Sequence, residues 1–174
     1  MRIIKAIEFA ANKHNGQKRK STGFPYIVHP IIVSNLILKY KGSSKHIEDL
    51  QIAGLLHDVL EDTNTTVLEI QKEFGSLVAS LVLELTSDKK KIKKDYDNNK
   101  NKYLIEKMLL MSNYAFILKL IDRLSNILDN PTEQYMKDTI IMMEELSERR
   151  GLTKRQKQIV KDILFEIDLK INQY

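Results

Sequence analysis

Apolar side chains recur along most of the chain with the period of an α-helix. In the segment 74–86, FGSLVASLVLELT, they fall in neighbouring pairs at 77–78 and 81–82 and again at Leu85. That spacing covers one face of a helix, whereas a strand would alternate apolar and polar positions. Similar stripes occupy 114–128 and 158–171. The pattern therefore predicts an all-α protein.

Helix boundaries follow from the ends of these stripes and from residues that cap helices. Thr66 with Glu69, and Thr153 with Gln156, have the spacing of capping boxes at helix starts. The predicted helices are 2–14, 30–40, 46–61, 66–74, 76–86, 95–111, 113–129, 132–149 and 153–171. No strand alternation or internal repeat interrupts them. We expect one domain over 1–174, folded as a helical bundle.

Two segments predict irregular structure. The segment 15–30 contains two glycines and two prolines, which is typical of a loop. The segment 87–102 is dense in lysine and asparagine. A solvated helix end or loop is the favoured interpretation there, and a basic surface that attracts phosphate is the alternative. Aromatic residues are too few in this run to favour nucleic-acid binding.

Composition narrows the class of protein. The chain has 174 residues, 43% of them hydrophobic, and no cysteine, so disulfides and thiolate metal sites are excluded. Charges within the first 13 residues argue against a signal peptide, and no apolar run reaches membrane-spanning length. These features predict a soluble cytoplasmic protein. The net charge of +5 favours anionic ligands such as nucleotides.

The segment 54–63, GLLHDVLEDT, places polar side chains inside an apolar stretch. Its histidine and acids are His57, Asp58, Glu61 and Asp62. If the helix continues through them, His57 and Glu61 are four positions apart, Asp58 and Glu61 three, and Asp58 and Asp62 four. All four side chains would then share one side of the helix end. Burying carboxylates costs several kcal/mol each unless a cation compensates, and a divalent metal would do so. A hydrated, solvent-facing helix end is the alternative.

Further candidates lie elsewhere in the chain. His29 directly precedes Pro30 at the entry to a predicted helix. Asp122 and Asn126 share one face of the helix 113–129, beside its apolar stripe. A basic cluster at 18–20 lies on the glycine-containing loop. His14, at the end of the first predicted helix, is interpreted as a capping or packing residue.

Taken together, four segments resemble the HD-domain alarmone hydrolases. These are the hydrolase domains of RelA/SpoT proteins and their small stand-alone, MESH1-like relatives. The segments are HNGQKRKSTGFPYIVHP, GLLHDVLEDT, EIQKEFGSLVASLVLELT and LKLIDRLSN, in order between about residues 6 and 130. The resemblance implies a metal-dependent phosphohydrolase fold that the helices in 132–171 complete. The chain departs from the family at Ile121, where alanine is common.

Site residues carry over from this resemblance position by position. The implied metal ligands are His29, His57, Asp58 and Asp122. The implied catalytic acids are Glu61 and Asp62. The implied substrate contacts are Arg19, Lys20, Ser21, Tyr26 and Asn126. In this family the metal is usually Mn²⁺, although the ligand chemistry also admits Fe²⁺ and Zn²⁺.

The activity implied by the resemblance is removal of the 3′-pyrophosphate of ppGpp or pppGpp, giving GDP or GTP. Two alternatives stay open. The same metal chemistry could act on another nucleotide, such as ppApp or the 2′-phosphate of NADPH. The other is a non-catalytic nucleotide-sensing module. Such a module would be expected to lack some of the ligands or the acidic pair, and this sequence has all of them. The expected partner is a small nucleotide, and the sequence leaves the oligomeric state open.

Overall fold

The computed structural model describes residues 2–172, and the description below is confined to them. The chain is all-helical, which confirms the predicted fold class. The helices are α1 (Arg2–Lys13), α2 (Val28–Lys41), α3 (Ile47–Leu55), α4 (Val59–Asp62), α5 (Val67–Phe74), α6 (Ser76–Leu85), α7 (Lys89–Asp95), α8 (Lys100–Leu110), α9 (Asn113–Leu128), α10 (Glu133–Arg149) and α11 (Lys154–Ile171). Within residues 2–172 no strand forms, and one isolated antiparallel bridge joins Lys18 to Pro25.

Capping residues set several of these helix ends. Thr153 and Gln156 form the predicted capping box of α11, with the Thr153 amide donating to Gln156 Oε1 at 2.8 Å. Thr66 caps α5 by accepting the Glu69 amide at 3.2 Å. The Glu69 carboxylate pairs instead with Lys13 at 2.8 Å. Of the two bonds that make up the predicted capping box, α5 therefore shows the one from the Glu69 amide to the Thr66 side chain.

The continuous helix predicted for 46–61 is wrong. Helix α3 ends at Leu55, and α4 begins at Val59. Leu56 and Asp58 have ψ values of 4° and −5°, far from the helical value near −42°. The carbonyl of Gly54 lies 2.7 Å from His57 Nδ1, so a side chain occupies an acceptor that serves a backbone amide in a continuous helix. His57 and Asp58 therefore lie at a break between helices.

The irregular structure predicted for 87–102 is also partly wrong. Five of its lysines lie on α7, and α8 begins at Lys100 rather than at the predicted residue 95. Asp88 caps α7 by accepting the Lys91 amide, and Asn99 caps α8 in the same way. Asp88 and Asn99 thus act as helix caps, and residues 97–98, between the two helices, adopt left-handed φ angles.

The described residues fall into two compact units, which divide between Thr86 and Ser87. In the first unit α2 packs against α3, α3 also packs against α1 and α6, and α5 packs against α6. In the second unit α9 packs against α11, and α10 packs against α8 and α11.

Each unit has its own buried apolar core. In the first unit the fully buried side chains include Ile37, Leu50, Ile52, Leu56 and Ile70. In the second they include Met108, Phe116, Leu120, Ile121 and Ile163. Among the described helices, none combines the length and the apolar content that crossing a bilayer requires.

Candidate functional site

Two imidazoles meet in the interior of the first unit. His29 lies in the first turn of α2, where Pro30 is tolerated, and His57 lies at the break after α3. Their Nε2 atoms are 3.2 Å apart, and each side chain is 3% exposed. Gly54 allows α2 and α3 to approach, because a Cβ at this position would overlap Ile37 of α2. The pair therefore depends on close packing of these two helices.

The hydrogen bond of His57 to the backbone fixes its tautomer. Its Nδ1 lies 2.7 Å from the Gly54 carbonyl oxygen, which can only accept, so Nδ1 carries the proton of the neutral ring. The lone pair on Nε2 then points toward His29 Nε2 and toward Asp58 Oδ2, which is 2.9 Å away. The His57 lone pair and the Asp58 carboxylate repel each other, and a cation bound between them would remove that repulsion.

This donor set fits a divalent metal. Neutral imidazole nitrogen and carboxylate oxygen are typical ligands of Mn²⁺, Fe²⁺ and Zn²⁺. His29 and His57 are buried and Asp58 is half-buried, so a cation held by them would be partly shielded from water. Metal-ligating histidines usually donate their second ring nitrogen to a carbonyl or carboxylate, as His57 does to Gly54.

Tyr26 supports the third member of this group. Its hydroxyl donates a short hydrogen bond to Asp58 Oδ2. The Tyr26 ring lies edge-on to His29, with centroids 5.9 Å apart, and the Arg19 guanidinium lies 5.9 Å from its centroid. A tyrosine predicted to contact substrate thus also orients a predicted metal ligand.

Arg19 and Tyr26 belong to a short hairpin, residues 17–26. The Arg19 amide donates to Phe24 at 2.8 Å, and the Tyr26 amide donates to Gln17 at 2.9 Å. Gly23, with φ of 75°, provides the left-handed turn that closes the hairpin. The predicted contacts Lys20 and Ser21 are exposed near its tip.

The predicted catalytic acids lie on α4, just after the break. Glu61 is half-buried and Asp62 is exposed. The Asp62 carbonyl accepts a hydrogen bond from the Gln17 side chain at 3.0 Å, which ties α4 to the hairpin 17–26. Because of the break, the acids follow the ligands through a tight turn rather than along one helix face.

The remaining predicted residues lie on α9 in the second unit. Asp122 is 8% exposed, and its two carboxylate oxygens each accept a hydrogen bond at 2.9 Å, one from Lys119 and one from Asn126. Asn126 also donates to the Asp122 backbone carbonyl at 3.0 Å. The buried carboxylate therefore has two donors on its own helix, one of them a lysine ammonium.

The structure thus connects several predicted residues by direct contacts within each unit. In the first unit these are Arg19, Tyr26, His29, His57 and Asp58. In the second they are Asp122 and Asn126. Sequence reasoning assigned no role to Gln17, whose only signal was its place in the segment HNGQKRK. His14 packs its ring against Tyr26, with centroids 4.7 Å apart, which confirms the packing interpretation.

Comparisons with known proteins identify the family of this chain. A sequence profile described as an HD domain matches residues 6–146. The guanosine-3′,5′-bis(diphosphate) 3′-pyrophosphohydrolase of Spiroplasma citri is 36% identical over 173 residues, which cover 95% of this chain and 22% of that protein. The MESH1 enzyme of the same description from Danio rerio is 38% identical over 128 residues, covering 73% of this chain and 68% of MESH1.

A solved structure shows the same fold. It is described as a metazoan ortholog of SpoT that hydrolyses ppGpp, and it matches with a TM-score of 0.73 and 28% identity, covering 99% of this chain and 94% of that one. The chain spans about a fifth of the Spiroplasma protein and about two thirds of MESH1. Because the HD profile covers most of its length, the chain belongs to the HD-domain family, as a relative of MESH1 and of SpoT-like ppGpp hydrolases.

Proposed function

We propose that this chain hydrolyses ppGpp or pppGpp, releasing the 3′-pyrophosphate and leaving GDP or GTP. The observation that carries the proposal is the buried pair His29 and His57, whose Nε2 atoms face each other beside Asp58 in a chain of the HD-domain family. Relatives that carry this activity in their names support the choice of substrate. A net charge of +5 is consistent with an anionic nucleotide.

HD-domain membership implies a divalent metal, and we assign it to His29, His57, Asp58 and Asp122. The assignment treats 1–174 as one HD domain to which all four residues belong. The HD profile supports this because its match, residues 6–146, contains all four positions. His29, His57 and Asp122 are buried and are of metal-ligating types. Two neutral imidazoles and two carboxylates balance a 2+ charge, and Mn²⁺ is our choice of ion.

When bound, such a cation supplies Lewis acidity and lowers the pKa of water. The protein's own side chains orient the water, accept its proton and hold the ligands in place. Glu61 and Asp62, directly after the ligands, are suited to orient the attacking water and accept its proton. Tyr26 holds the Asp58 carboxylate in place through its hydroxyl.

Substrate contacts come from the hairpin 17–26 and from α9. The planar guanidinium of Arg19 can stack on a base while its charge attracts phosphate. Lys20 is exposed, so it is suited to steering the polyanionic substrate toward the site. Ser21 and Asn126 would add hydrogen bonds that orient the nucleotide.

Pyrophosphate release tests the proposal. Purified protein loaded with Mn²⁺ should release pyrophosphate from ppGpp, and Glu61→Gln and Asp62→Asn should lower kcat by at least the ~10²-fold typical of losing a general base. Glu73→Gln is the matched control, since Glu73 pairs with Lys5 on α1 and has no assigned role. Absence of turnover in protein shown by elemental analysis to hold the metal would refute the proposal.

A substrate panel separates the remaining alternatives. We expect the highest kcat/KM for ppGpp or pppGpp, compared with ppApp and NADPH under matched conditions. A higher value for either of the latter would transfer the proposal to that nucleotide. Tight ppGpp binding without turnover of any substrate would instead identify a nucleotide-sensing module.

A further inference from the structure

One buried histidine of the first unit has no part in the proposed chemistry. His14 follows the last residue of α1 and is 3% exposed. Its Nδ1 lies 2.8 Å from Gln17 Oε1, and its Nε2 has no hydrogen-bond partner within residues 2–172. A buried polar group without a hydrogen-bond partner destabilises the fold, so a histidine that carries one is expected to have a structural or functional role. The contacts of Gln17 indicate that role.

His14, Gln17 and the Asp62 carbonyl form a series of hydrogen bonds. The direction of each bond follows from the Asp62 end. The Asp62 carbonyl can only accept, so the Gln17 atom 3.0 Å away is the amide nitrogen. Gln17 Oε1 then faces His14 and can also only accept, which places the proton on Nδ1. The nitrogen without a partner is then the bare Nε2, which loses less by being unpaired than a buried N–H would.

This chain of contacts ends on the helix that carries the proposed catalytic acids. Helix α4 has four residues, too few to be stable by its own hydrogen bonds. Asp62 is its last residue, so its carbonyl has no donor within the helix, and Gln17 supplies one. The backbone carbonyl of Gln17 also accepts the Tyr26 amide at 2.9 Å. Gln17 thus joins α4 to the hairpin 17–26.

His14 acts on the hairpin by a second contact. Its ring packs on Tyr26, with centroids 4.7 Å apart, and the Tyr26 hydroxyl holds Asp58. Gly16, with φ of 78°, lets the chain reverse after α1 so that His14 and Gln17 face each other. One imidazole therefore supports the link to the acids through Gln17 and the link to Asp58 through Tyr26.

We propose that His14 and Gln17 are positioning residues for the hydrolysis. His14, as the Nδ1–H tautomer, orients the Gln17 amide, and Gln17 fixes the C-terminal end of α4 and with it Glu61 and Asp62. This inference rests on the proposed function, because it assigns the acids to water activation. Neither residue touches the substrate or the metal in this account.

The tautomer is tested without any turnover. ¹⁵N NMR correlations of the His14 ring should show a protonated Nδ1 and an unprotonated Nε2. The reverse tautomer would overturn the proposal. Amide hydrogen exchange provides a second structural readout: Gln17→Ala should accelerate exchange at Glu61 and Asp62, whose amides bond to Asp58. Unchanged exchange in that variant would overturn the role of Gln17.

Kinetics test the consequence for the reaction. Gln17→Ala should lower kcat by roughly 10–100-fold, the effect of small misplacement of reacting groups, with KM changed less than about threefold. Mn²⁺ affinity should stay within about threefold, since the ligands keep their contacts. An unchanged kcat, or a loss explained by metal affinity, would refute positioning.

Two variants of His14 separate hydrogen bonding from packing. His14→Asn places an amide N–H close to the position of Nδ1–H, whereas His14→Leu keeps a similar bulk without a donor. We expect His14→Asn to retain most of kcat and His14→Leu to lose it. Equal losses would show that the donor is irrelevant and would overturn the proposal. If wild-type protein with bound metal shows no turnover, the proposed function fails, while the NMR and exchange data still test the contact.

Discussion

A single methyl group added at Gly54 would disturb the packing that supports the candidate site. A Cβ here would overlap Ile37 Cδ1 and lie 3.3 Å from Val33 Cγ1. Both neighbours belong to α2, which begins with the turn that carries His29. The Gly54 carbonyl also accepts the His57 Nδ1–H bond. Gly54→Ala should therefore destabilise the fold and separate the two imidazoles.

The magnitude follows from two opposing terms. Alanine favours a helix over glycine by about 1 kcal/mol. Overpacking a core costs about 1–3 kcal/mol, and the upper part of that range applies because Ile37 and Val33 are 0% and 1% exposed and cannot turn toward solvent. We expect a net loss of about 1–2 kcal/mol in the free energy of unfolding.

A double-mutant cycle with Ile37→Val measures the overlap directly. The substitution removes Cδ1 and alone should cost about 0.5–1.5 kcal/mol. Combined with Gly54→Ala it should be less harmful than the sum, with a favourable coupling of about 1 kcal/mol or more. Urea unfolding followed by circular dichroism gives the free energies, and calorimetric titration gives Mn²⁺ affinity. A neutral or stabilising Gly54→Ala variant, or strict additivity, would show that a Cβ at this position meets no resistance from Ile37.

Further predictions concern the metal, Tyr26 and the α11 cap. Saturation with Mn²⁺ should raise the free energy of unfolding by about 2.7 kcal/mol at 100 times Kd, measured as a rise in Tm that EDTA reverses; no shift would contradict a metal bound by the folded state. Tyr26→Phe should weaken Mn²⁺ binding about 10–100-fold in calorimetry, because Asp58 loses its hydroxyl donor, and unchanged affinity would argue against that role. Gln156→Ala should cost about 1 kcal/mol in urea unfolding, since it removes the bonds to Thr153 and Asn113. A loss below about 0.3 kcal/mol would show that this cap is dispensable.

Much of the helical structure could be predicted because its signals are local. Apolar periodicity located most helices, and capping residues such as Thr153 fixed their ends. The same local reasoning failed for α7, where Ile92 is the one buried side chain among five lysines. One apolar position does not define the apolar stripe of a helix. The residues that could have indicated the helices were the caps Asp88 and Asn99.

The break between α3 and α4 could not be read from periodicity. Leu55, Leu56 and Val59 continue an apolar pattern through it, and all three are buried. The break depends on the His57 side chain bonding to the Gly54 carbonyl, a choice that no residue spacing reveals. Conversely, the predicted neighbours His29 and His57 do meet, although they are 28 positions apart in the sequence, because α2 packs on α3.

Supporting contacts were the least predictable part of the site. Gln17 reaches Asp62 across 45 positions, and Tyr26 reaches Asp58 across 32. Their residue types alone suggest surface loop positions, since glutamine and tyrosine are common there. Only the fold brings the hairpin 17–26 to the break, where side-chain amide and hydroxyl groups acquire specific partners.

Mn²⁺ titration into metal-free protein tests the central claim, that a divalent cation is bound by His29, His57, Asp58 and Asp122. Wild-type protein should bind one equivalent. Asp122→Asn should weaken binding by more than the roughly 10–100-fold expected for losing a supporting partner. Asp138→Asn, an equivalent change on α10 where Asp138 bonds to Gln134, should bind as wild type does. Equal affinity in the two variants would show that Asp122 is not a ligand, and no binding by the wild type would show that these residues hold no Mn²⁺.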